Sequence, residues 1–279
     1  MTQGSIPLAG VIGSPIAHSL SPRLHRYWLN RYALPGFYIP MDVAQEDLET
    51  VMAALPKMGF RGVNVTIPHK VAVLGLADVV TDRAALIGAA NTLSFLPDGR
   101  LSADNTDGYG FLESLRAGAP AWSAQAGPAA VIGSGGAARA VITALLGEGI
   151  EEVRITNRTR ARADALRSEF GNRVVVYDWV QAGNAIDGAA LVVNTTSLGM
   201  TGKPEFRVPL DGLSSDTVVL DIVYNPLETT LLTIARQAGC TVVDGLGMLL
   251  HQGTPGFERW FGQAPEVDDA LRAAVLGRA

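Results

Sequence analysis

Ala129-Ala130-Val131-Ile132-Gly133-Ser134-Gly135-Gly136-Ala137-Ala138 is the stretch on which the reading of the fold turns. Four apolar residues of strand length run into a Gly-x-Gly-x-x-Ala turn, and the turn opens into a helical run over 137–146. Small residues of this kind often make no more than a tight turn. Here the strand before, the helix after and a second strand beyond supply the context in which the motif binds a dinucleotide. Gly133 allows the sharp strand-to-helix turn, Gly135 lets the backbone approach a pyrophosphate, and Ala138 permits close helix packing, with the helix N-terminus facing the anion.

The second strand ends at Thr156-Asn157-Arg158-Thr159. About 20 residues past the glycines an NAD enzyme usually carries Asp or Glu for the ribose 2′-hydroxyl. No acid stands there. Arg158 takes its place and Arg162 follows one helical turn on, a pair suited to bidentate, charge-assisted bonds with a 2′-phosphate. NADP is therefore expected over NAD, with Gly133, Ser134, Gly135, Gly136, Ala137, Asn157, Arg158, Thr159 and Arg162 around it. Arg160 reads as an ordinary solvated helix position.

Working outward, apolar runs at 129–132, 152–156, 173–177, 190–193, 218–222 and 241–243, several separated by helical material, predict a doubly wound parallel sheet. Upstream, strands at 8–12, 36–40 and 62–65 alternate with helices at 22–33 and 46–55. A helix at 111–116 and an Ala, Gly and Pro-rich loop at 117–128 separate the two regions. One helix at 248–262, rich in aromatics, and a short one at 267–276 complete the chain. The expected fold class is α/β in two domains. An N-terminal α/β substrate domain covers 1–108, a Rossmann-type doubly wound NADP domain covers 109–245, and the helices of 246–279 return to the first domain.

The chain has 279 residues, 48% of them hydrophobic and 18% charged, a composition of ordered globular proteins. Its formal net charge is −5 and its Lys and Arg residues are dispersed, which argues against nucleic acid as a partner. The single cysteine, Cys240, excludes an intrachain disulfide, thiolate-rich metal sites and iron–sulfur clusters, and points to a reducing compartment. The four histidines lack the spacing of a His-Glu-x-x-His helix. Residues 1–13 carry no basic, apolar export leader, and no stretch approaches the roughly 20 apolar residues of a membrane span. A cytoplasmic enzyme acting on a small molecule is expected, as monomer or homodimer, with no metal.

The remaining signals are short polar clusters. Ser19 and Ser21 lie between a strand and a helix, and Ser21 before Pro22 has the look of an N-cap. Asn64, Thr66 and Lys70 follow a strand, and alternation puts the first two on one side. Asn91-Thr92 and Asp104-Asn105-Thr106-Asp107-Gly108 add more. Together with Asn157-Arg158-Thr159, Asn194-Thr195-Thr196, Asp221-Ile222-Val223-Tyr224-Asn225-Pro226, Asp244-Gly245-Leu246-Gly247-Met248-Leu249 and Gln252, they resemble the shikimate dehydrogenase family over nearly the whole chain, in the right order.

The resemblance implies NADPH-linked, reversible reduction of 3-dehydroshikimate to shikimate in an interdomain cleft, within chorismate and aromatic amino-acid biosynthesis. It places the catalytic pair on Lys70 and Asp107, substrate contacts on Ser19, Ser21, Asn64, Thr66, Asn91, Tyr224 and Gln252, and further cofactor contacts on Asp82, Ile222 and Gly245. Those last three also have bland readings as a helix-terminal charge, a core strand residue and a turn. Quinate or amino-shikimate dehydrogenases are the near alternatives. A glutamyl-tRNA reductase would need a cysteine nucleophile, and Cys240 sits in the wrong place for one. A non-catalytic NADP sensor would not need Lys70 and Asp107.

Overall fold

Alternate side chains of a strand point to opposite faces, so a strand that is apolar throughout needs a core on each side. The computed structural model describes residues 6–278. Residues 1–5, part of the stretch tested for an export leader, lie outside the described residues. The chain divides into two compact units, one made of the residues through Thr106 and from Leu250 onward, the other spanning Asp107–Leu249.

The first unit begins with β1 (Leu8–Gly13), α1 (Ser21–Arg31), β2 (Phe37–Asp42), α2 (Leu48–Ala54) and β3 (Phe60–Val65). It continues through β4 (Val79–Val80), α3 (Asp82–Ile87), β5 (Thr92–Phe95) and β6 (Leu101–Asp104). The strands pair in the order β2-β1-β3-β5-β6-β4. β1 is parallel to β2 and β3, whereas β5 runs antiparallel to both β3 and β6. Nothing in the sequence reading anticipates β4, β5 or β6. β4 is only two valines, and β5 and β6 are short and carry Thr, Ser and Asp, residues that also favour turns, so none shows a run of alternation and all exist by pairing with their neighbours.

The second unit begins with α4 (Asp107–Gly118), β7 (Ala129–Ile132), α5 (Gly136–Gly147), β8 (Val153–Thr156) and α6 (Arg160–Phe170). Then come β9 (Val174–Tyr177), α7 (Ala182–Ile186), β10 (Leu191–Asn194), β11 (Val218–Asp221), α8 (Thr230–Gln237) and β12 (Thr241–Val243). The sheet is parallel throughout, in the order β12-β11-β10-β7-β8-β9. Val131, Leu191, Val193 and Leu220 enter one core with Phe111 and Leu115 of α4, Val141 and Leu145 of α5 and Leu166 of α6. Their neighbours Ala130, Ile132, Val192 and Val219 enter the opposite core with Ile186 of α7 and Leu231 and Leu232 of α8. Each large aliphatic side chain so buried contributes roughly 1.5–3 kcal/mol, which is why the strands can be apolar on both faces.

α9 (Gly245–Gln252) runs out of the second unit, and α10 (Thr254–Phe261) and α11 (Asp269–Val275) belong to the first. The single helix expected at 248–262 is thus two helices. Pro255 stands in the first turn of α10. Within a continuous helix its ring would strike the carbonyl one turn back and its missing N–H would break the ladder, so the chain stops and restarts around Gly253.

In the first unit one face of the sheet packs Ile12, Val63, Val65 and Leu93 against Leu48 and Met52 of α2. Elsewhere in this unit an aromatic cluster joins α1, β2 and α10: His25 stacks on Tyr38, and Trp28 meets Phe257 edge-on.

Candidate active site

In an open parallel sheet a ligand crevice forms at the carboxyl ends of the strands, where the winding reverses. β7 is flanked by β8 on one side and β10 on the other, so the reversal falls between β7 and β10. Ile132 at the end of β7 pairs with Asn194 at the end of β10, which sets Gly133 beside Thr195. Gly133 has φ +117°, and a Cβ there would stand 2.6 Å from Thr195 Oγ1. No other residue takes that backbone without strain.

The Gly133 N–H donates to the Thr156 carbonyl at 2.8 Å, and the Thr195 hydroxyl donates to the Ile132 carbonyl at 2.7 Å. Gly135, the exposed N-cap of α5, gives the helix no side-chain cap. A Cβ at Gly135 or Gly136 would meet nothing within 4 Å. It would instead fill the open space before the first-turn amides. Ser134 and Ala137 flank that space half-buried. A pyrophosphate fits such a cradle.

The turn after β8 is closed by the Asn157 side-chain amide, which donates to the Thr159 carbonyl at 2.8 Å. Beyond it the three arginines differ in their partners. Arg160 pairs with Asp178 and with Asp164 of its own helix. The exposed Arg158 and Arg162 side chains have no hydrogen-bond or ion-pair partner among the described residues. Two unpaired cations beside the cradle, with no carboxylate at the end of β8, are the donor set a 2′-phosphate needs.

Farther along the same edge, Asp221 ends β11 next to Asn194. Its carboxylate accepts from the Asn194 amide at 2.9 Å, the Val223 N–H at 3.0 Å and the Thr229 hydroxyl at 2.7 Å. Burial nevertheless pushes its pKa up to about 6. Ile222 follows, half-buried, and Gly245 at the start of α9 lies against the Ile222 and Val223 backbone, where a Cβ would collide with the Ile222 carbonyl. Gly245 therefore serves close packing as well as the helix start. Tyr224 is partly buried, which raises its phenol pKa.

In the first unit, strand register assembles what the sequence scatters. Asn64 of β3 pairs with Thr92 of β5, and Thr92 with Asp104 of β6. The Asn64 amide donates to the Asn91 carbonyl at 3.1 Å and to Thr92 Oγ1 at 3.2 Å. Asn91 Oδ1 accepts from the Thr106 N–H at 2.8 Å and the Thr92 hydroxyl at 2.9 Å. The Thr106 hydroxyl donates to the Gln252 carbonyl at 2.9 Å, and the Asn91 amide reaches Gln252 Oε1 at 3.4 Å. Asn64, Asn91 and Gln252 are thus joined in one lattice, and Thr92 and Thr106 are members to which sequence reasoning gave no role.

Lys70 and Asp107 attach to this lattice through the backbone. The Ala90 N–H donates to the Lys70 carbonyl at 2.8 Å, so the Ala90-Asn91 pair holds the chain at Lys70 on one side and at Thr106 on the other. Asp107 is the next residue after Thr106 and opens α4. Thr66 follows β3, its N–H donating to the Ile12 carbonyl at 2.9 Å and its methyl group pressed against Gly13. Asp82 is exposed at the first position of α3, where its charge suits the helix dipole.

Ser21 departs from its sequence reading. It lies within the first turn of α1, and the residue at the cap, Leu20, makes no side-chain bond. Ser19 does the nearest thing to capping, its Oγ accepting from the Ser21 N–H at 3.3 Å. Proline at the second helical position, rather than the first, shifts the helix start by one residue.

Asp104, quoted above only as part of a motif, is a structural centre. Its buried carboxylate accepts from Thr81 at 2.8 Å, Arg259 at 2.6 Å, and Arg83 through two nitrogens. These cations hold it far below the usual carboxylate range, outweighing its burial. An acid set between Ala103 and Asn105 was the only local signal, and its partners lie too far off in sequence to be paired by inspection. Among the described residues there is no cluster of His, Cys, Asp and Glu able to hold a metal, and no helix long and apolar enough to cross a membrane.

A glycine turn at the switch point of a doubly wound parallel sheet, with an arginine pair beyond the second strand, defines a dinucleotide-binding α/β protein. The sequence profile of the shikimate dehydrogenase substrate-binding domain matches residues 11–93, that of shikimate / quinate 5-dehydrogenase matches 121–201, and that of the shikimate 5′-dehydrogenase C-terminal domain matches 245–275. The chain is 70% identical over 271 residues to the shikimate dehydrogenase (NADP(+)) of Cereibacter sphaeroides, covering 97% of each.

Among solved structures it is similar to Thermus thermophilus shikimate 5-dehydrogenase in complex with NADP(H) and shikimate. Identity there is 38%, TM-score 0.86, and coverage 98% of this chain and 99% of that one. It is also similar to Corynebacterium glutamicum quinate dehydrogenase in complex with NAD, at 33% identity, TM-score 0.88, and coverage of 97% and 98%. The chain belongs to the shikimate dehydrogenase family.

The raised pKa of Asp221 carries a stability signature. The folded state holds its proton up to about pH 6, whereas an unfolded aspartate releases it near pH 4. The contribution is complete below the unfolded value and is lost as pH rises through the folded one. Asp221→Asn removes this dependence. Denaturant titrations from pH 4 to pH 7 are expected to show the variant gaining on the wild type by on the order of 2 kcal/mol across that window; a constant difference would contradict it.

Proposed function

We propose that the chain catalyses the reversible NADPH-linked reduction of 3-dehydroshikimate to shikimate, a cytoplasmic step of aromatic amino-acid biosynthesis. The near-full-length likeness to shikimate dehydrogenase (NADP(+)) supports the activity. The observation that carries the site is the Ala90-Asn91 pair, which tethers the backbone at Lys70 and at Thr106, next to Asp107. In this reading residues 1–108 and 246–279 handle substrate and 109–245 handle NADP.

When bound, NADPH supplies the hydride. Gly133, Ser134, Gly135, Gly136 and Ala137 present backbone to its pyrophosphate, and Asn157, Arg158, Thr159 and Arg162 receive the 2′-phosphate, with Asp82, Ile222 and Gly245 as lesser contacts. As the ketone carbon is reduced, negative charge develops on its oxygen. The Lys70 ammonium stabilises that charge and delivers the proton, and Asp107 orients the ammonium. In the oxidation direction neutral Lys70 takes the hydroxyl proton. Ser19, Ser21, Thr66, Tyr224 and the amides of Asn64, Asn91 and Gln252 hold the carboxylate and ring hydroxyls. Similar folds serve quinate with NAD, so specificity resides in these contacts rather than in the architecture.

Initial rates with NADP and NAD, each with shikimate and with quinate, are expected to give the highest kcat/KM for shikimate with NADP. A preference for quinate or NAD would overturn the specificity, and no activity with any pair would favour a sensor. Lys70→Ala is expected to lower kcat by about 10²–10⁴-fold with little change in KM, as loss of a proton donor does; a substantially active variant would overturn its role. Replacing Arg158 and Arg162 by Ala is expected to raise the KM for NADP far more than that for NAD, and equal losses would refute the 2′-phosphate assignment.

A further inference from the structure

Tyr38 stands on β2 with no part in the reading above, yet it is bonded to one of the proposed substrate contacts. Its phenol is buried, and its hydroxyl donates to Asn64 Oδ1 at 2.7 Å. On the other side of the same amide, the two Nδ2 hydrogens go to the Asn91 carbonyl and to Thr92 Oγ1. The Thr92 hydroxyl sends its own proton to Asn91 Oδ1, so Thr92 meets Asn64 as an acceptor. A donor on one side and two acceptors on the other select a single orientation of the amide. An amide oxygen has two lone pairs and its nitrogen two hydrogens. Three of these four positions are used inside the protein; the His25 ring also lies close to Asn64, but neither of its nitrogens makes a hydrogen bond among the described residues, so what remains is one lone pair on Oδ1.

We propose that Tyr38 is a positioning residue that fixes Asn64 as a pure hydrogen-bond acceptor, so that the group docking there is a ring hydroxyl of the substrate and not its carboxylate. A carboxylate needs donors, and Asn64 has none left to give. The inference rests on the reading of Asn64 as a substrate contact.

The surroundings keep the phenol in place. His25 stacks face to face on the Tyr38 ring, with centroids 3.9 Å apart and planes 3° from parallel. Burial pulls His25 down to about 3, so the stack stays uncharged across the physiological range. His25 lies one helical turn beyond Ser21 on α1, and the Ser21 hydroxyl bonds to the phenol, offsetting part of the rise in pKa that burial imposes on it. Tyr38 pairs in register with Ala9 of β1, whose small side chain leaves the ring room to reach toward β3.

The test is Tyr38→Phe, which keeps the ring and its stack and removes only the hydroxyl. It is assayed with shikimate and with the two monodeoxy analogues that retain the hydroxyl to be oxidised. The expected result is a rise in KM for shikimate of about 10-fold, with kcat and the KM for NADP changed less than about threefold. One analogue is expected to show no penalty at all, because the hydroxyl that meets Asn64 is already missing. A loss shared equally by all three substrates would mean a merely structural role and overturn the proposal, as would a change below about twofold with shikimate.

Asn64→Ala separates the two layers of inference. If it leaves the KM for shikimate unchanged, the contact reading itself falls and the proposal with it. If it raises KM while Tyr38→Phe does not, only the positioning role falls. Independently of any Tyr38 variant, the Asn64 side-chain NH₂ signals of the wild type, identified by their loss in Asn64→Ala, are expected to exchange slowly with solvent; fast exchange would overturn the fixed orientation.

Discussion

A buried polar group that finds no partner costs on the order of 1–3 kcal/mol, and more if charged. The first unit accepts that constraint repeatedly. Asn64, Asn91, Thr92, Asp104, Asn105 and Thr106 are all buried; Asn64, Asn91, Thr92 and Thr106 close on one another, while Asp104 is met by Thr81, Arg83 and Arg259 and the Asn105 amide by the Ala89 carbonyl. The lattice leaves little freedom. Moving Asn91 would unpair Thr92 and Thr106 together, and with them the peptide that leads into Asp107. The placement of the backbone at Lys70 and of the peptide leading into Asp107 is thereby referred to a set of hydrogen bonds, each modest alone but hard to break singly.

The second unit solves its problem with apolar contacts and reserves polar order for one edge. Alternate side chains of β7, β10 and β11 enter two different cores, so these strands cannot shift register by one residue without exchanging every pair. The carboxyl ends of the strands are then rigid platforms. Gly133, Asn194 and Asp221 sit at three neighbouring ones, and the loops they begin inherit that rigidity.

Much of this was legible in the sequence because it depends on local pattern. The strand at 129–132 and its glycine turn and the absence of an acid after the second strand both follow from residues close together in the chain. What escaped depends on pairing at a distance. β5 and β6 are four residues each and become strands only because β3 and one another lie alongside. Asp104 finds Arg259 some 155 positions away, and Tyr38 looked like any aromatic in a strand until its hydroxyl was seen against Asn64. The misplaced N-cap at Ser21 and the unbroken helix at 248–262 are of another kind, both decided by where a proline ring can stand within a helical turn.

The first unit is interrupted in sequence. Its sheet ends at Asp104, yet α10 and α11 come after the whole of the second unit. Phe257, Trp260 and Phe261 are thus the last members of a cluster whose first members are His25 and Trp28. On the ribosome the N-terminal sheet therefore waits, its aromatic side uncovered, while more than a hundred intervening residues are made. The Rossmann-type unit, continuous in the chain, has every strand it needs before that wait is over, so the order of synthesis favours the second unit maturing first and the first unit closing last.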